Sequence, residues 1–341
     1  MDKKLFTRVC NTPGIPGFEG PVQDIASEIF SDCCQEVKRD RIGNVVGIKK
    51  ATDQSRGRMP RVLLAAHADE VGMLVKHIDN KGYIHFIQVG GLKAQVCESQ
   101  RVTIHSKNPV RGVIVAKTGG DDKPAKINDL RVDTGLPAEE VKKRVSPGDT
   151  MTYEGDASVL NDKTWVGRNF DDRAGTYCLL EAMRKVKETQ VDVYAVSSVQ
   201  EEVGLRGMHA AGARLDPDIA VAIDGSMTRG AYGQECDNLC ELGNGTGIYM
   251  IDKLTIGHPA LVRCLFDVAK KHKIAHQLNI GGGTDASAIQ KSGADVMATT
   301  IGAPTRYMHS TVQLCHADDI DATVDLLVKF MESAHELLEL E

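Results

Sequence analysis

No apolar run in this 341-residue chain approaches the ~18 residues that a membrane-spanning helix needs. The stretch from Met1 to Gly14 also lacks the apolar segment of a secretory leader, so neither export nor a membrane partner is expected. A disulfide framework is missing too. The nine cysteines stand at 10, 33, 34, 97, 178, 236, 240, 264 and 315, an odd number at scattered spacing, which argues for reduced thiols in a cytoplasmic setting. Only Cys236 and Cys240 approach metal-ligand spacing. With no second Cys or His pair beside them, they read as packing or loop residues. No large excess of one charge is present: 41 Lys+Arg against 47 Asp+Glu leave a net charge of -6, which argues against a nucleic-acid partner. Internal repeats and low-complexity tracts are absent. What remains is an ordinary globular composition, 42% apolar and 26% charged, which excludes disorder and collagen-like structure. The length predicts two domains.

The clearest strands are apolar runs that each end in polar residues. Arg61–Ala66 leads into His67-Ala68-Asp69-Glu70, Val191–Val199 into Gln200-Glu201-Glu202, Asp218–Ile223 into Asp224-Gly225, and Asp295–Ile301 into Gly302-Ala303-Pro304. Near-continuous Val, Ile, Leu and Ala suits strands covered on both faces, as in a parallel sheet flanked by helices. Helices are expected over Arg173–Lys187, over Ala260–Lys271 behind a first-turn Pro259, and over Ile320–Leu340 with aspartates at its start. From about Leu74 to Lys163 the pattern changes to short strands (Tyr83–Val89, Arg101–His105, Val110–Ala116, Thr150–Glu154). They are separated by turns such as Asn80-Lys81-Gly82 and Thr118-Gly119-Gly120, with one short helix at Ala138–Arg144. The expected fold class is therefore α/β, a mostly parallel-core sheet flanked by helices, with an inserted β-rich, barrel-like domain. Residues 1–73 and 164–341 form the main domain and 74–163 the insertion.

Open α/β sheets bind ligands at the carboxyl ends of their strands, where residues distant in sequence converge. That rule collects His67, Asp69, Glu201, Glu202 and Asp224, with Asp171-Asp172 at the head of a helix and His309 past the last strand. Histidine with carboxylate is the donor set of Zn²⁺, Co²⁺ or Mn²⁺, and such a cluster can hold two cations around a shared water. Asp69 stands close enough to accept the second N–H of the His67 ring. Of the Glu201-Glu202 pair, one can ligate while the other serves as general base. Either Asp171 or Asp172 can bridge. Taken singly, each of these has a plainer reading: a structural histidine, a solvated glutamate face, a helix cap. Their joint position at strand ends points to a metal site. His309 is preferred to His316, because His316-Ala317-Asp318-Asp319 reads as a helix start. The remaining histidines (77, 85, 105, 209, 258, 272, 276 and 335) read as surface or half-buried residues. The run Gly281-Gly282-Gly283-Thr284-Asp285 has no Lys where a phosphate loop needs one, so Gly283, Thr284 and Asp285 read as the wall of a substrate pocket. Gly243-Asn244-Gly245-Thr246-Gly247 is a lone glycine-rich turn, too weak a signal for a dinucleotide site.

The motifs HADEVG at 67, FDDRAG at 170, QEEVGLRG at 200 and GGTD at 282 resemble the dinuclear metallo-aminopeptidases of the glutamyl-aminopeptidase family, the TET-type peptidases, some of which were once described as cellulases or endoglucanases. The resemblance covers nearly the whole chain, with the motifs in the family's order. It implies two divalent metal ions, zinc or cobalt first and manganese next. It puts His67 and Asp224 on separate metals, Asp171 as the bridge, Glu202 and His309 completing the shells, and Glu201 as catalytic base, with Asp69, placed at the His67 ring, counted as catalytic beside it. It implies short peptides as substrates and a homo-oligomer in which dimers build a hollow tetrahedral dodecamer. The inserted module would serve subunit contact or act as a lid. Ala68 and Asn169 depart from the family pattern, and neither is a proposed ligand. A deacylase of N-acylated small molecules and a non-catalytic peptide-binding scaffold are the alternatives. The module lies between His67 and Asp171, whereas related carboxypeptidases and deacylases carry their extra domain before the final histidine, and this favours the aminopeptidase.

Overall fold

Four parallel strands form the centre of the molecule, in the spatial order Asp192–Ser198, Arg61–His67, Ile219–Ile223, Met297–Gly302. The computed structural model describes residues 1–55, 58–117, 126–229, 240–293 and 295–338. Val45–Lys49 and Glu36–Arg39 add antiparallel strands on one side, and Thr246–Ile251 and His276–Ile280 complete eight strands on the other. Alternate side chains of each central strand enter different cores, as the two-residue period requires. Val62, Leu64 and Ala66 pack with the helices Lys3–Asn11, Gly20–Cys33, Phe170–Lys185, Pro259–Lys271 and Ala317–Ser333. Leu63 and Ala65 pack with Arg206–Leu215 and Asp285–Gln290 on the opposite face. Each fully buried Val or Leu contributes about 1.5–3 kcal/mol, so burial on both faces fixes the level at which every strand ends.

The inserted module is a closed six-stranded barrel in the order Gly72–Ile78, Ile84–Val89, Arg131–Asp133, Val110–Val115, Arg101–His105, Thr150–Tyr153, with every neighbour antiparallel. Met73, Val75, Ile84, Val102, Ile104, Ile114, Val132 and Met151 fill it as a core of its own. Strand pairing divides the chain a little differently from the expected 74–163. The barrel begins at Gly72 and its last strand ends at Tyr153. Ser158–Asn161 instead pairs with Thr164–Gly167, which pairs with Gln313–His316. Burial of Ala157 and Trp165 in the main core draws this segment out of the barrel.

The helix expected from Arg173 is preceded by three residues, Phe170 to Asp172, of which Asp171 and Asp172 lie outside helical backbone angles. The C-terminal helix expected over Ile320–Leu340 spans Ala317–Ser333 and then breaks before a short helix, His335–Leu338. The Thr118-Gly119-Gly120 turn and Cys236 lie outside the described residues.

Candidate metal centre

The strand ends deliver their polar residues to one place. His67 is the last residue of its strand and Asp224 directly follows the neighbouring strand, and both are buried. Glu201 and Glu202 follow the strand on the other side of His67, after Gln200, whose φ of 58° turns the chain sharply. His309 also has a left-handed backbone, φ 60°, a conformation that non-glycine residues hold only where surrounding structure enforces it.

Asp171 sits between the two histidines. Its Oδ1 is 3.3 Å from His67 Nε2 and its Oδ2 is 3.3 Å from His309 Nε2. Two sets of donor atoms gather within 4.8 Å of one another, His67 with Asp171 and Asp224, and Asp171 with Glu202 and His309. Asp171 therefore belongs to both. Asp172 is turned away from the cavity: its carboxylate accepts from the N–H groups of His67 (3.3 Å) and Gly175 (3.1 Å). This separates the two aspartates that the sequence left as alternatives. One expectation is corrected. His67 and Asp224 were to serve separate metals, yet they share a set, because their strands are immediate neighbours in the sheet.

Each histidine is oriented by a backbone carbonyl. His67 Nδ1 lies 3.1 Å from the carbonyl oxygen of Asp69, and His309 Nδ1 lies 3.0 Å from that of Gly91. With Nδ1 as the N–H, each Nε2 presents a lone pair to the cluster. The Asp69 carboxylate was expected at the His67 ring, but its nearer oxygen is 3.6 Å from Nδ1. It accepts instead from the N–H of Glu201 (Oδ1, 3.0 Å) and the N–H of Glu202 (Oδ2, 3.0 Å), clamping the turn that carries both glutamates. Gln313 Oε1 accepts from the Asp171 N–H (2.8 Å), and the Thr176 hydroxyl donates to the His67 carbonyl (2.8 Å).

Electrostatics favour a cation here. Asp171, Glu202 and Asp224 are packed together with Glu201, and among the described residues only the two histidines form ion pairs with any of them. Burial pushes the Glu201 and Asp224 carboxyls well up from their ordinary values. The Asp171 and Glu202 carboxylates beside His309 push its imidazole up to about 11. Glu202 Oε1 is buried without a hydrogen-bond partner although His309 Nε2 is 3.3 Å away. Two such groups facing each other across a short gap suit a common cation between them. Histidine nitrogens and carboxylate oxygens are donors that Zn²⁺, Co²⁺ and Mn²⁺ accept, so the residues fit the ions.

A cavity of about 500 Å³ opens on the cluster, with Lys93, Tyr249, Lys253, Gly283, Thr284 and Tyr307 among its walls. Gly283 and Thr284 line it. Asp285 lies behind it, 3% exposed, accepting from the Ser198 hydroxyl at 2.5 Å. His316 is distant in role: its Nδ1 accepts from the Asp318 N–H at the start of the last long helix. Sequence reasoning missed Gly91. A Cβ there would stand 2.7 Å from His309 Nδ1, and the Gly90-Gly91 pair at a strand end was the available signal.

Residues 43–326 match the M42 glutamyl aminopeptidase family. The chain belongs to that family. It is a metal-dependent aminopeptidase, a hydrolase. The lysyl aminopeptidase of Pyrococcus furiosus is 30% identical to it over 97% of each chain. Among solved structures, an aminopeptidase of the archaeon Desulfurococcus kamchatkensis superposes with a TM-score of 0.94 at 32% identity, covering 99% of this aminopeptidase and 96% of that chain. The TET1 peptidase of Pyrococcus horikoshii, which can assemble into a tetrahedron or a large octahedral shell, superposes with a TM-score of 0.85 at 29% identity, covering 96% and 98%. Among the described residues of the aminopeptidase, no helix is long and apolar enough to cross a membrane.

Proposed function

We propose that this aminopeptidase removes the N-terminal residue of short peptides at a dinuclear centre, with His67, Asp171 and Asp224 holding one cation and Asp171, Glu202 and His309 the other. The observation that carries the reading is Asp171, whose two carboxylate oxygens each lie 3.3 Å from a different histidine. Zinc or cobalt is the expected metal, with manganese next. When bound, such ions polarise a carbonyl and lower the pKa of water toward neutrality.

The chain's own residues supply the rest. Glu201 Oε2 lies 3.9 Å from His67 Nε2, beside the cluster but outside both ligand sets. It takes a proton from the attacking water and returns it to the amine of the departing peptide, so one water is consumed and one amino acid and one shortened peptide are released. The Asp69 carboxylate holds Glu201 by its backbone N–H during both transfers. Gly283 and Thr284 give the wall against which the N-terminal residue rests. By analogy with the tetrahedral assembly of the Pyrococcus horikoshii peptidase, dimers of this chain assemble into a dodecamer in the cytoplasm, with the barrel as a contact module.

Glu201→Gln tests the reading. Metal content should stay at the wild-type value while turnover of aminoacyl p-nitroanilides falls by about 10²–10⁴. Turnover within threefold of wild type would remove Glu201 from the role. N-acetylated substrates should be inert, and their hydrolysis at the rate of free-amine substrates would favour a deacylase.

A further inference from the structure

The two ligand sets are not supported in the same way. His67 receives its orienting carbonyl from Asp69, two residues along the same segment, and its backbone is tied to Asp172 and Thr176 of the main domain. His309 receives its own from Gly91, in the loop that leaves the barrel strand Ile84–Val89. The contact is tight: a Cβ on Gly91 would be 2.7 Å from His309 Nδ1, and one on Gly90 would be 3.3 Å from the Cβ of Glu202. Gly90 also has φ +83°, a backbone conformation that glycine adopts without strain. The loop is anchored in the barrel by Leu92, which is buried in the barrel core and whose N–H donates to the Gly90 carbonyl (3.1 Å). Of the two ligands private to one set, His309 is therefore held by the inserted module and Glu202 lies beside its Gly90, while in the other set the His67 ring and backbone are held by the main domain.

We propose that the barrel is a working part of the metal centre: its Gly90-Gly91 loop fixes the tautomer and aim of His309, so that the Asp171–Glu202–His309 site depends on the barrel's position and the His67–Asp171–Asp224 site does not. Gly91 is a positioning residue, acting through its carbonyl oxygen. Donation of the His309 Nδ1–H to that oxygen keeps the Nε2 lone pair free, and losing the acceptor lets the ring rotate or take the other tautomer. Partners of this kind commonly contribute 10–100-fold to metal affinity. It follows that a shift of the barrel changes the occupancy of one site alone.

This inference rests on the dinuclear reading, and the test separates the two. Zn²⁺ is titrated into metal-stripped whole protein against a chromophoric chelator, first for wild type and then for Gly91→Ala and Leu92→Ala. Wild type should bind two equivalents; a single equivalent would overturn the dinuclear reading itself. Gly91→Ala should weaken one equivalent by roughly 10–100-fold and leave the other within about twofold. Leu92→Ala frees the loop without adding an atom beside the ring, so it should weaken the same equivalent by a smaller factor. It also keeps the test open if Gly91→Ala does not fold. Two-equivalent binding in wild type with both sites unchanged, or both weakened alike, in the folded variants overturns the proposal.

Discussion

Replacing Asp69 by Asn probes the clamp on the catalytic turn without changing its shape. In the native protein one fully buried carboxylate accepts two backbone N–H groups, from Glu201 and Glu202, each at 3.0 Å. A hydrogen bond to a charged acceptor contributes about 1.5–3 kcal/mol. Asn keeps one acceptor oxygen and sets an NH₂ against the second N–H, so one bond is lost and two donors face each other. The loss is therefore about 3 kcal/mol or somewhat more, since a buried unsatisfied donor adds its own cost. Part of it appears as stability, a drop of several degrees in Tm. The rest appears at the site, because a turn displaced by about 1 Å misplaces the Glu201 carboxylate, and misplacement of that size costs on the order of 10²-fold in rate. The expected result is a fall in kcat of about 100-fold on an aminoacyl p-nitroanilide with KM changed far less, read beside the metal content of the same sample. If Asp69→Asn kept kcat within twofold of wild type, the clamp would have no catalytic weight and the reasoning would be refuted.

Glu70→Gln should destabilise the protein by about 3–5 kcal/mol in urea unfolding, because Glu70 is the buried partner of Arg168 (2.8 and 3.1 Å) and of Arg173 (3.4 Å); a loss below 1 kcal/mol would contradict this. Asp192 is pushed up by burial, but the N–H of Ala51, the Lys50 ammonium and the Gln54 amide outweigh that and hold its carboxyl below the ordinary value. Its contribution is present above the unfolded pKa of about 4 and disappears as pH falls through the native value. Asp192→Asn should therefore cost about 1–2 kcal/mol at pH 7, with the gap from wild type closing toward pH 2; a gap independent of pH would count against the ion pair. Stripping the protein with a chelator should lower its unfolding midpoint, and Zn²⁺ at 100 times its Kd should restore about 2.7 kcal/mol for each site so filled. Calorimetric traces identical with and without metal would be inconsistent with a cation at this cluster.

Much of this architecture is legible in the sequence because the central strands are buried on both faces. Runs such as Arg61–His67 and Ile219–Ile223 can be bounded by where the apolar residues stop, and the polar residues just beyond are the ones the fold gathers. Residue type carries that signal. It carries none for contacts made by the main chain. The carbonyl of Gly91 reaching His309, or that of Asp69 reaching His67, depends on where two distant segments are placed, and any residue has a carbonyl. For the same reason the Asp69 side chain was expected at the ring and is found holding the backbone of Glu201 and Glu202. The limit of the insertion was misjudged at Ser158–Asn161, because an exposed edge strand reads alike whichever sheet it joins. The grouping of His67 with Asp224 follows from strand order, which apolar runs do not encode.

Arg173 is buried, and its guanidinium donates to the carbonyls of Val9 (2.8 Å), Thr12 (2.5 Å) and Gly14 (3.2 Å), two residues along the chain from Asp171. The first helix and the loop after it thus serve as a backplate bolted to the segment that carries the bridging carboxylate. A label or fusion that pulled this stretch away would unseat the guanidinium and slacken Asp171 from behind, far from the cavity mouth. A handle for immobilising or tagging the enzyme is therefore better kept clear of the stretch between Val9 and Gly14.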